Sequence, residues 1–363
     1  AQDVRAGDHV ALDDGLIRLE VEAVDGHEVR TKVVVGGELS NNKGLNLPGV
    51  AVSAPALTLK DKRDLEFATS ILKADYLALS FVRSAQDIAE VKALAPTTPV
   101  IAKVERPEAV EVLDEIVDAA DGIMVARGDL GVELGAEKVP LIQKRIIRET
   151  NARGKIVITA TQMLDSMVHA ATPTRAEASD VANAVFDGTS AVMLSAETAI
   201  GAHPVESVAT MARIAQRADE EFDYTTWAER VAALRLKSSN DPAQIITDAM
   251  TMATWRTANE LDLAALVCIS GSGFTVRSMA RFRPHIPILG MTTDPRTAQQ
   301  LTLSWGVTPV LIEPEWSYEF RVDKAVEEGK LLGVLRPGDL IGVLAGMAGD
   351  ARATDVLRVM RIN

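Results

Sequence analysis

Charged and hydroxyl side chains follow each of five apolar runs in the middle of the chain. They are Ser80 and Arg83, Lys103 and Glu105, Arg127 and Asp129, Thr161, and finally Ser195 and Glu197. In a parallel α/β sheet the carboxyl ends of the strands meet at one edge, where ligands bind. We therefore expect these side chains to surround one common site.

Two of these strand ends suggest a metal site. Lys103 and Glu105 are two residues apart, so on a strand both side chains point to the same face. Glu105 and Asp129, from neighbouring strands, would share a hard cation such as Mg²⁺ or Mn²⁺, with water and substrate oxygens completing an octahedral shell. Lys103 would then stabilise negative charge on a phosphoryl group or an enolate.

The segment Arg127–Asp129 adds a further binding element, because Gly128 lets the backbone N–H groups approach a substrate carboxylate closely. Each residue also has an ordinary explanation: a solvated charge, a turn, or a local hydrogen bond made by Thr161. The clustering of such groups at five consecutive strand ends favours a metal-assisted site for an anion.

The elements that must position these groups alternate between strand and helix. The predicted strands are Asp75–Phe81, Pro99–Glu105, Gly122–Asp129, Lys155–Gln162 and Ala191–Thr198. One helix runs from about Val139 and ends before Gly154, and another begins with a capping-box pattern at Thr174 and Glu177 and ends at Gly188. Such repeats predict a parallel sheet. Their spacing is compatible with an open sheet and with the last five units of an eight-stranded barrel.

Residues 1–50 differ from this pattern and predict antiparallel strands. Ile17, Leu19 and Val21 alternate with charged residues, and the dipeptides at Asp14 and Asp25, each followed by glycine, predict turns. A valine run over residues 33–35 is expected to end at Gly36. This segment predicts a small β module.

A second α/β domain is expected after a charged stretch at about 218–240, where we place a boundary. The predicted strands are Ala264–Ser270, Ile286–Thr292, Val307–Ile312, Leu340–Ala345 and Val356–Ile362. Between the first strand and the next helix lies a glycine-serine segment, residues 270–275, that would either hold a phosphate or form a simple tight turn.

The composition limits the classes of partner. The 363 residues carry a net charge of −13, which disfavours nucleic acid and anionic membranes as partners. The single cysteine, Cys268, lies in an apolar run and is expected to be a buried hydrophobic residue. One cysteine excludes an internal disulfide, so a cytoplasmic location fits. No apolar stretch reaches the 18 residues of a membrane span.

Five strings together resemble one known family, pyruvate kinase. They are NNKGLNLPGV (41–50), IAKVERPEAV (101–110), GIMVARGDLGVE (122–133), ITATQMLDSM (158–167) and PTRAEASDVANAVFDGTSAVMLSAETA (173–199). The resemblance implies an eight-stranded (β/α) barrel with an inserted β lid and a C-terminal α/β three-layer domain. The expected organisation is a partial lid over 1–50, the last five strands of a TIM barrel over 51–220, and the C-terminal domain over 221–363.

The resemblance also implies a role for each site residue. Lys103 matches the lysine that stabilises phosphoryl transfer, and Glu105 and Asp129 match the ligands of Mg²⁺ or Mn²⁺. The phosphoenolpyruvate pocket matches Ala126, Arg127, Gly128, Asp129, Thr161 and Ser195, with Glu197 on the same strand end. Thr161 lies near the face where the enolate is protonated, and Lys43 meets the nucleotide, ADP or ATP.

Other implied features fall outside this sequence or stay open. The family also uses K⁺. The K⁺ ligands and a phosphate-binding arginine would precede Ala1, so we expect this chain alone to be poorly active. A homotetramer and a sugar-phosphate or nucleotide effector are implied, although the loop Gly346–Thr354 departs from the family's usual form. The alternatives are a non-catalytic paralogue that binds an effector or an assembly partner, and another metal-dependent barrel enzyme such as an aldolase or mutase.

Overall fold

A computed structural model describes residues 1–41, 43–235, 242–314, 316–346 and 354–363. Contacts divide the chain into two compact units. The first unit comprises Ala1–Glu149 and Val157–Ala218, and the second comprises Thr150–Ile156 and Asp219–Asn363. Each unit is described by itself below. None of the described helices is long and apolar enough to cross a bilayer.

The N-terminal β module of the first unit is a four-stranded antiparallel sheet. Its strands are β1 (His9–Leu12), β2 (Ile17–Asp25), β3 (Glu28–Val35) and β4 (Leu45–Asn46), in the order β3-β2-β1-β4. Asp13, Asp14 and Gly15 all have positive φ in the β1–β2 turn, as does Gly26 in the β2–β3 turn. The predicted turns and the end of the valine run before Gly36 are therefore confirmed.

A five-stranded parallel sheet forms the rest of the first unit. Its strands are β5 (Leu77–Leu79), β6 (Val100–Val104), β7 (Gly122–Ala126), β8 (Ile156–Ala160) and β9 (Ala191–Met193), paired in chain order. Fully buried aliphatic side chains of β6 and β7, such as Val104 and Ile123, pack with Ile116 and Ile146 from neighbouring helices. The predicted parallel sheet is thus present, and its strands end at one common edge.

Nine helices accompany this sheet in the described part of the first unit. They are α1 (Leu59–Glu66), α2 (Ala85–Leu94), α3 (Pro107–Glu111), α4 (Leu113–Ala119), α5 (Arg127–Leu134), α6 (Val139–Ala152), α7 (Arg175–Asp187), α8 (Ala196–Ala199) and α9 (Pro204–Glu220). A π-helical turn spans Phe67–Ile71 and a 3₁₀ turn spans Asp165–Val168. Thr174 and Glu177 form the predicted capping box of α7, and Gly188 ends it in the left-handed conformation.

All five predicted strands of this sheet extend past the observed carboxyl ends, and two of them do so by three residues or more. The strand predicted over Gly122–Asp129 stops at Ala126, and Arg127 begins α5. The strand predicted over Ala191–Thr198 stops at Met193, and α8 follows. In both cases the polar residues turn the chain into a helix at the edge of the sheet. Asp129 therefore lies in the first turn of a helix instead of on a strand end.

The second unit contains a five-stranded sheet of its own. Its strands are β10 (Ala265–Ile269), β11 (Ile288–Thr292), β12 (Val307–Leu311), β13 (Leu340–Ala345) and β14 (Val356–Arg361), in the order β12-β11-β10-β13-β14 with only β14 antiparallel. Helices in this part of the chain are α10 (Tyr224–Arg235), α11 (Pro242–Glu260), α12 (Phe274–Ala280), α13 (Pro295–Leu301) and α14 (Tyr318–Leu331). All five predicted strands are present, with ends shifted by two residues at most.

Alternate residues of β10 enter two different cores. Leu266 and Cys268 pack with residues that include Trp255 of α11, whereas Val267 packs with residues that include Val322 of α14. Successive side chains of a strand point to opposite faces, so helices cover both sides of the sheet. This is the predicted three-layer arrangement. The prediction about the loop Gly346–Thr354 falls on residues 347–353, which lie outside the described residues.

Candidate active site

Lys103 and Glu105 form the centre of the candidate site. The Lys103 Nζ atom lies 2.7 Å from Glu105 Oε1 and donates a hydrogen bond to Ser80 Oγ at 3.0 Å. The Glu105 residue is fully buried, whereas the Lys103 side chain is 25% exposed. The ammonium group is thus held near the carboxyl end of β6 by the Glu105 carboxylate and the Ser80 hydroxyl.

The backbone at the end of β5 anchors the Glu105 carboxylate. The Phe81 N–H donates to Glu105 Oε2 at 2.6 Å, and Phe81 has a φ of +53°, which is rare for a bulky residue. Burial raises the pKa of the Glu105 carboxyl, and the charge of Asp129 raises it further, while Lys103 and the Phe81 N–H act in the opposite direction. The charge of Asp129 thus acts on the Glu105 carboxyl in the same direction as burial.

Asp129 lies in the first turn of α5, where the Asn46 side chain reaches it. Asn46 Nδ2 donates a hydrogen bond to Asp129 Oδ1 at 3.1 Å. A carboxylate at a helix N-terminus is also stabilised by the helix dipole. The geometry leaves Asp129 with an amide donor on one oxygen and a second carboxylate nearby.

Thr161 contacts the same helix start. The Gly128 N–H donates to Thr161 Oγ1 at 2.8 Å, and the Thr161 hydroxyl in turn donates to the Ala160 carbonyl at 2.6 Å. Thr161 has a φ of +69° directly after β8. Because this conformation is disfavoured for a β-branched residue, its surroundings must hold it in place. The Gly128 N–H, expected to face a ligand, is bonded to Thr161 instead.

The Arg127 guanidinium binds other residues of this chain. Its Nη1 lies 2.6 Å from Asp180 Oδ2, and its Nη2 donates to the Thr161 carbonyl at 2.7 Å. The side chain is only 9% exposed. Arg127 thus links α5, α7 and the segment after β8, and it binds the Thr161 carbonyl while Gly128 binds the Thr161 hydroxyl.

Ser195 and Glu197 lie where β9 turns into α8. Glu197 is 2% exposed and accepts the Ser195 N–H at 2.8 Å and the Leu164 N–H at 3.0 Å. Glu197 therefore fixes two backbone segments that follow neighbouring strands. Ala126 is the residue before α5 and is 1% exposed, so it offers almost no surface to a ligand in this structure.

Lys43 is held on the N-terminal β module. Its Nζ lies 2.9 Å from Asp13 Oδ1, and the side chain is 38% exposed. Burial and the charges of Asp129 and Asp13 raise the pKa of Asp14, while Lys43 lowers it. Asp14 thus experiences the charges of both Lys43 and Asp129.

A cavity of about 780 Å³ lies between the β module and the start of α5. It is lined by His9, Val10, Ala11, Asp14, Gly15, Arg18, Val34, Pro48, Arg127, Gly128, Gly131, Val132, Gly135, Ala136, Glu137, Val139, Pro140, Gln162 and Asp180. A volume of this order suits a nucleotide-sized ligand. The cavity brings the turn of the β module, with Asp14, opposite Gly128.

The described residues contain no cluster of three or more acidic, histidine or cysteine side chains that would hold a metal by themselves. Glu105 and Asp129 nevertheless fit a divalent cation that takes its remaining ligands from substrate and water. Glu105 Oε1 is buried, and it is in contact with the Lys103 ammonium at 2.7 Å. A cation held by Glu105 and Asp129 would offset the repulsion between the two carboxylates.

Comparison with known families identifies the family of this chain. The model described as "Pyruvate kinase, barrel domain" matches residues 1–208, and "Pyruvate kinase, alpha/beta domain" matches residues 248–360. The chain belongs to the pyruvate kinase family. The first match also favours the barrel over the open sheet, the two arrangements that the spacing of strands left undecided.

Curated relatives named pyruvate kinase share extensive identity with this chain. The protein from Bacillus licheniformis is 44% identical over 98% of this chain and 61% of its own length. The protein from Geobacillus stearothermophilus is 46% identical over 98% of this chain and 61% of its own length. The protein from Clostridium acetobutylicum is 40% identical over 97% of this chain and 74% of its own length. The chain thus spans about three-fifths of the length of the first two.

Several residues of the site were not predicted from the sequence. Asn46 reaches Asp129 across 83 positions, and Asp13 holds Lys43 across 30. Ser80 was noted at a strand end, but its bond to Lys103 was not anticipated. The only sequence signal for Asn46 is its position within the family-like string NNKGLNLPGV.

Proposed function

We propose that this chain carries the chemistry of pyruvate kinase: the metal-assisted transfer of a phosphoryl group from phosphoenolpyruvate to ADP, which yields pyruvate and ATP in glycolysis. The single observation that supports this best is the 2.7 Å contact between the Lys103 ammonium and the buried Glu105 carboxylate. An ammonium group beside two carboxylates suits a divalent cation and a transferring phosphate.

Lys103 is assigned the role of stabilising negative charge. Phosphoryl transfer requires positioning and charge neutralisation more than covalent help from the protein. Ser80 and Glu105 hold the Lys103 ammonium in place, so it needs no large rearrangement to meet a phosphoryl oxygen or an enolate oxygen. Glu105 and Asp129 would hold Mg²⁺ or Mn²⁺, which when bound supplies further positive charge to the same oxygens.

The start of α5 is assigned to phosphoenolpyruvate. Ala126, Arg127, Gly128 and Asp129 present a helix N-terminus, which favours an anionic group. Thr161, held between Gly128 and Arg127, is assigned to the face where the enolate gains its proton, and Ser195 to the same pocket. The Gly128 N–H donates to Thr161 in this structure. It would contact a substrate oxygen only after this hydrogen bond breaks.

Lys43 is assigned to the nucleotide. It lies on the β module, and the cavity between this module and α5 has room for ADP or ATP. A nucleotide phosphate would compete with Asp13 for the Lys43 ammonium.

We further propose the organisation predicted above: a lid over 1–50, a catalytic barrel over 51–220 and a C-terminal α/β domain over 221–363. K⁺, a homotetramer, a sugar-phosphate or nucleotide effector and a cytoplasmic location also remain proposals. The segment proposed for the effector phosphate lies between β10 and α12, with Gly273 at a φ of +74°.

A coupled assay with lactate dehydrogenase tests the proposed reaction by following ADP-dependent pyruvate formation. Turnover that requires Mg²⁺ and falls by at least about 100-fold in Lys103→Ala would support it, whatever the absolute rate. A chain that neither forms pyruvate nor binds phosphoenolpyruvate in the presence of Mn²⁺ would contradict the proposal. Near-normal turnover would refute only the expectation of poor activity.

A further inference from the structure

Asn46 connects the N-terminal β module to one of the two proposed metal ligands. It lies on β4, where it pairs with Ala11 of β1, and it is only 8% exposed. Its side-chain amide donates to Asp129 Oδ1 at 3.1 Å. A buried amide on a two-residue strand thus faces a carboxylate of a different part of the fold.

Glu133 lies one helical turn after Asp129, so both side chains occupy the same side of α5. The Glu133 side chain is 1% exposed, and its Oε1 lies 3.2 Å from Arg106 Nη1. Burial raises the pKa of Glu133, while Arg106, the Asn46 amide and the Gly49 N–H lower it. The two acidic residues of this face therefore have different partners: Asn46 donates to Asp129, and Arg106 pairs with Glu133.

Arg106 holds the segment that carries Asn46. It is 8% exposed, and its Nη2 donates to the Val50 carbonyl at 3.0 Å, four residues after Asn46. The same guanidinium contacts Glu133 and Glu108. One buried arginine, which directly follows Glu105 in the chain, thus fixes the strand segment of Asn46 against α5.

We propose that Asn46 is a positioning residue for the metal: its amide orients the Asp129 carboxylate so that the second oxygen faces the cation, and the Arg106–Glu133 pair keeps Asn46 in place. This inference rests on the proposed function. Outer hydrogen-bond partners of a ligand fix its orientation, and their loss typically lowers metal affinity by about 10- to 100-fold. Metal binding at Asp129 thereby depends on where the β module sits.

The experiment measures Mn²⁺ binding to the full chain by the EPR signal of free Mn²⁺. The variants are Asn46→Leu, which keeps the size and removes the donor, and Asn46→Ala, which serves if the larger side chain prevents folding. Asn41→Leu makes the same chemical change at an exposed position of the β module. Asp129→Asn removes the proposed ligand itself. Thermal unfolding of each variant is followed in parallel.

We expect either Asn46 variant to bind Mn²⁺ about 10- to 100-fold more weakly than the wild type. The Mn²⁺ affinity of Asn41→Leu should stay within about twofold of the wild type. A merely structural role would lower the unfolding temperature of the Asn46 variants and leave the Mn²⁺ affinity of their folded form unchanged. That outcome overturns the role of Asn46 alone, provided that the wild-type chain binds Mn²⁺ and Asp129→Asn does not. If the wild-type chain binds no Mn²⁺, the proposed metal site fails together with this inference.

Discussion

The Glu197 carboxylate accepts the backbone N–H of Leu164 at 3.0 Å, although the two residues lie 33 positions apart. With the second bond from the Ser195 N–H, this carboxylate ties together the segments that follow β8 and β9. Both segments carry residues assigned to the phosphoenolpyruvate pocket. The pocket therefore depends on a buried residue that we assign no contact with substrate.

Removing this carboxylate is expected to destabilise the first unit. Glu197→Ala leaves two N–H groups without their acceptor, and each such loss costs about 1–3 kcal/mol. We expect the free energy of unfolding in urea to fall by about 2–5 kcal/mol. Glu197→Gln keeps one acceptor oxygen and should lose less. Glu206→Ala, at an exposed position in α9, should stay within about 0.5 kcal/mol of wild type, and an equal loss there would contradict the assignment.

Lys103→Ala is expected to lower turnover by at least about 100-fold while phosphoenolpyruvate still binds, because a preorganised charge acts mainly on the transition state. The measurement is pyruvate formation in the intact enzyme, with substrate binding followed separately by calorimetry. Lys62→Ala is the control, because it removes an ammonium from an exposed pair with Glu90. Unchanged turnover in Lys103→Ala would remove this residue from the mechanism.

Glu105→Gln is expected to weaken the use of Mg²⁺ by at least about tenfold, since a neutral amide is a poorer ligand for a hard cation. Glutamine keeps the size of the side chain and an acceptor for the Phe81 N–H. The readout is the Mg²⁺ concentration that gives half-maximal rate. Glu90→Gln provides the matched change on the surface. A metal requirement equal to that of wild type would exclude Glu105 from the site.

Cys268 should be unreactive in the native protein. The residue is fully buried on β10, and burial raises the pKa of its thiol to about 12. Because the thiolate is the reactive form, we expect Ellman's reagent to label no thiol at pH 8 and one thiol per chain in denaturant. Rapid labelling without denaturant would show that the sheet of the second unit opens.

The same thiol has a defined pH dependence. Its folded-state pKa lies above the ordinary value of 9.0, so the native state keeps the proton that the unfolded chain releases. The stability contributed by the protonated thiol is therefore complete below about pH 9 and decreases as the pH rises towards about 12. Comparison with Cys268→Ala in urea above pH 9 isolates this effect. A stability difference between the two proteins that does not change with pH would contradict it.

The order of the elements and the identity of most charged site residues follow from the amino-acid sequence alone. Period-two alternation and paired Asp-Gly turns predict the β module, and apolar runs between amphipathic segments predict the strands of both α/β sheets. These signals are local, since each arises from side chains within one strand, turn or helix. The pair Lys103 and Glu105 belongs to this group, because two residues on one strand share a face without help from the rest of the fold.

The hydrogen-bond and ion-pair partners of these charged residues are seen only in the tertiary structure. The contacts of Asn46 with Asp129, of Arg127 with Asp180 and of Glu197 with Leu164 join residues 83, 53 and 33 positions apart. No local periodicity records such pairs, because they follow from the way strands and helices pack. The helical start at Arg127 was missed for a related reason: the apolar run continues up to it, and the chain turns only where the sheet ends. The long-range pairs fix the orientation of the site, which the sequence pattern alone leaves open.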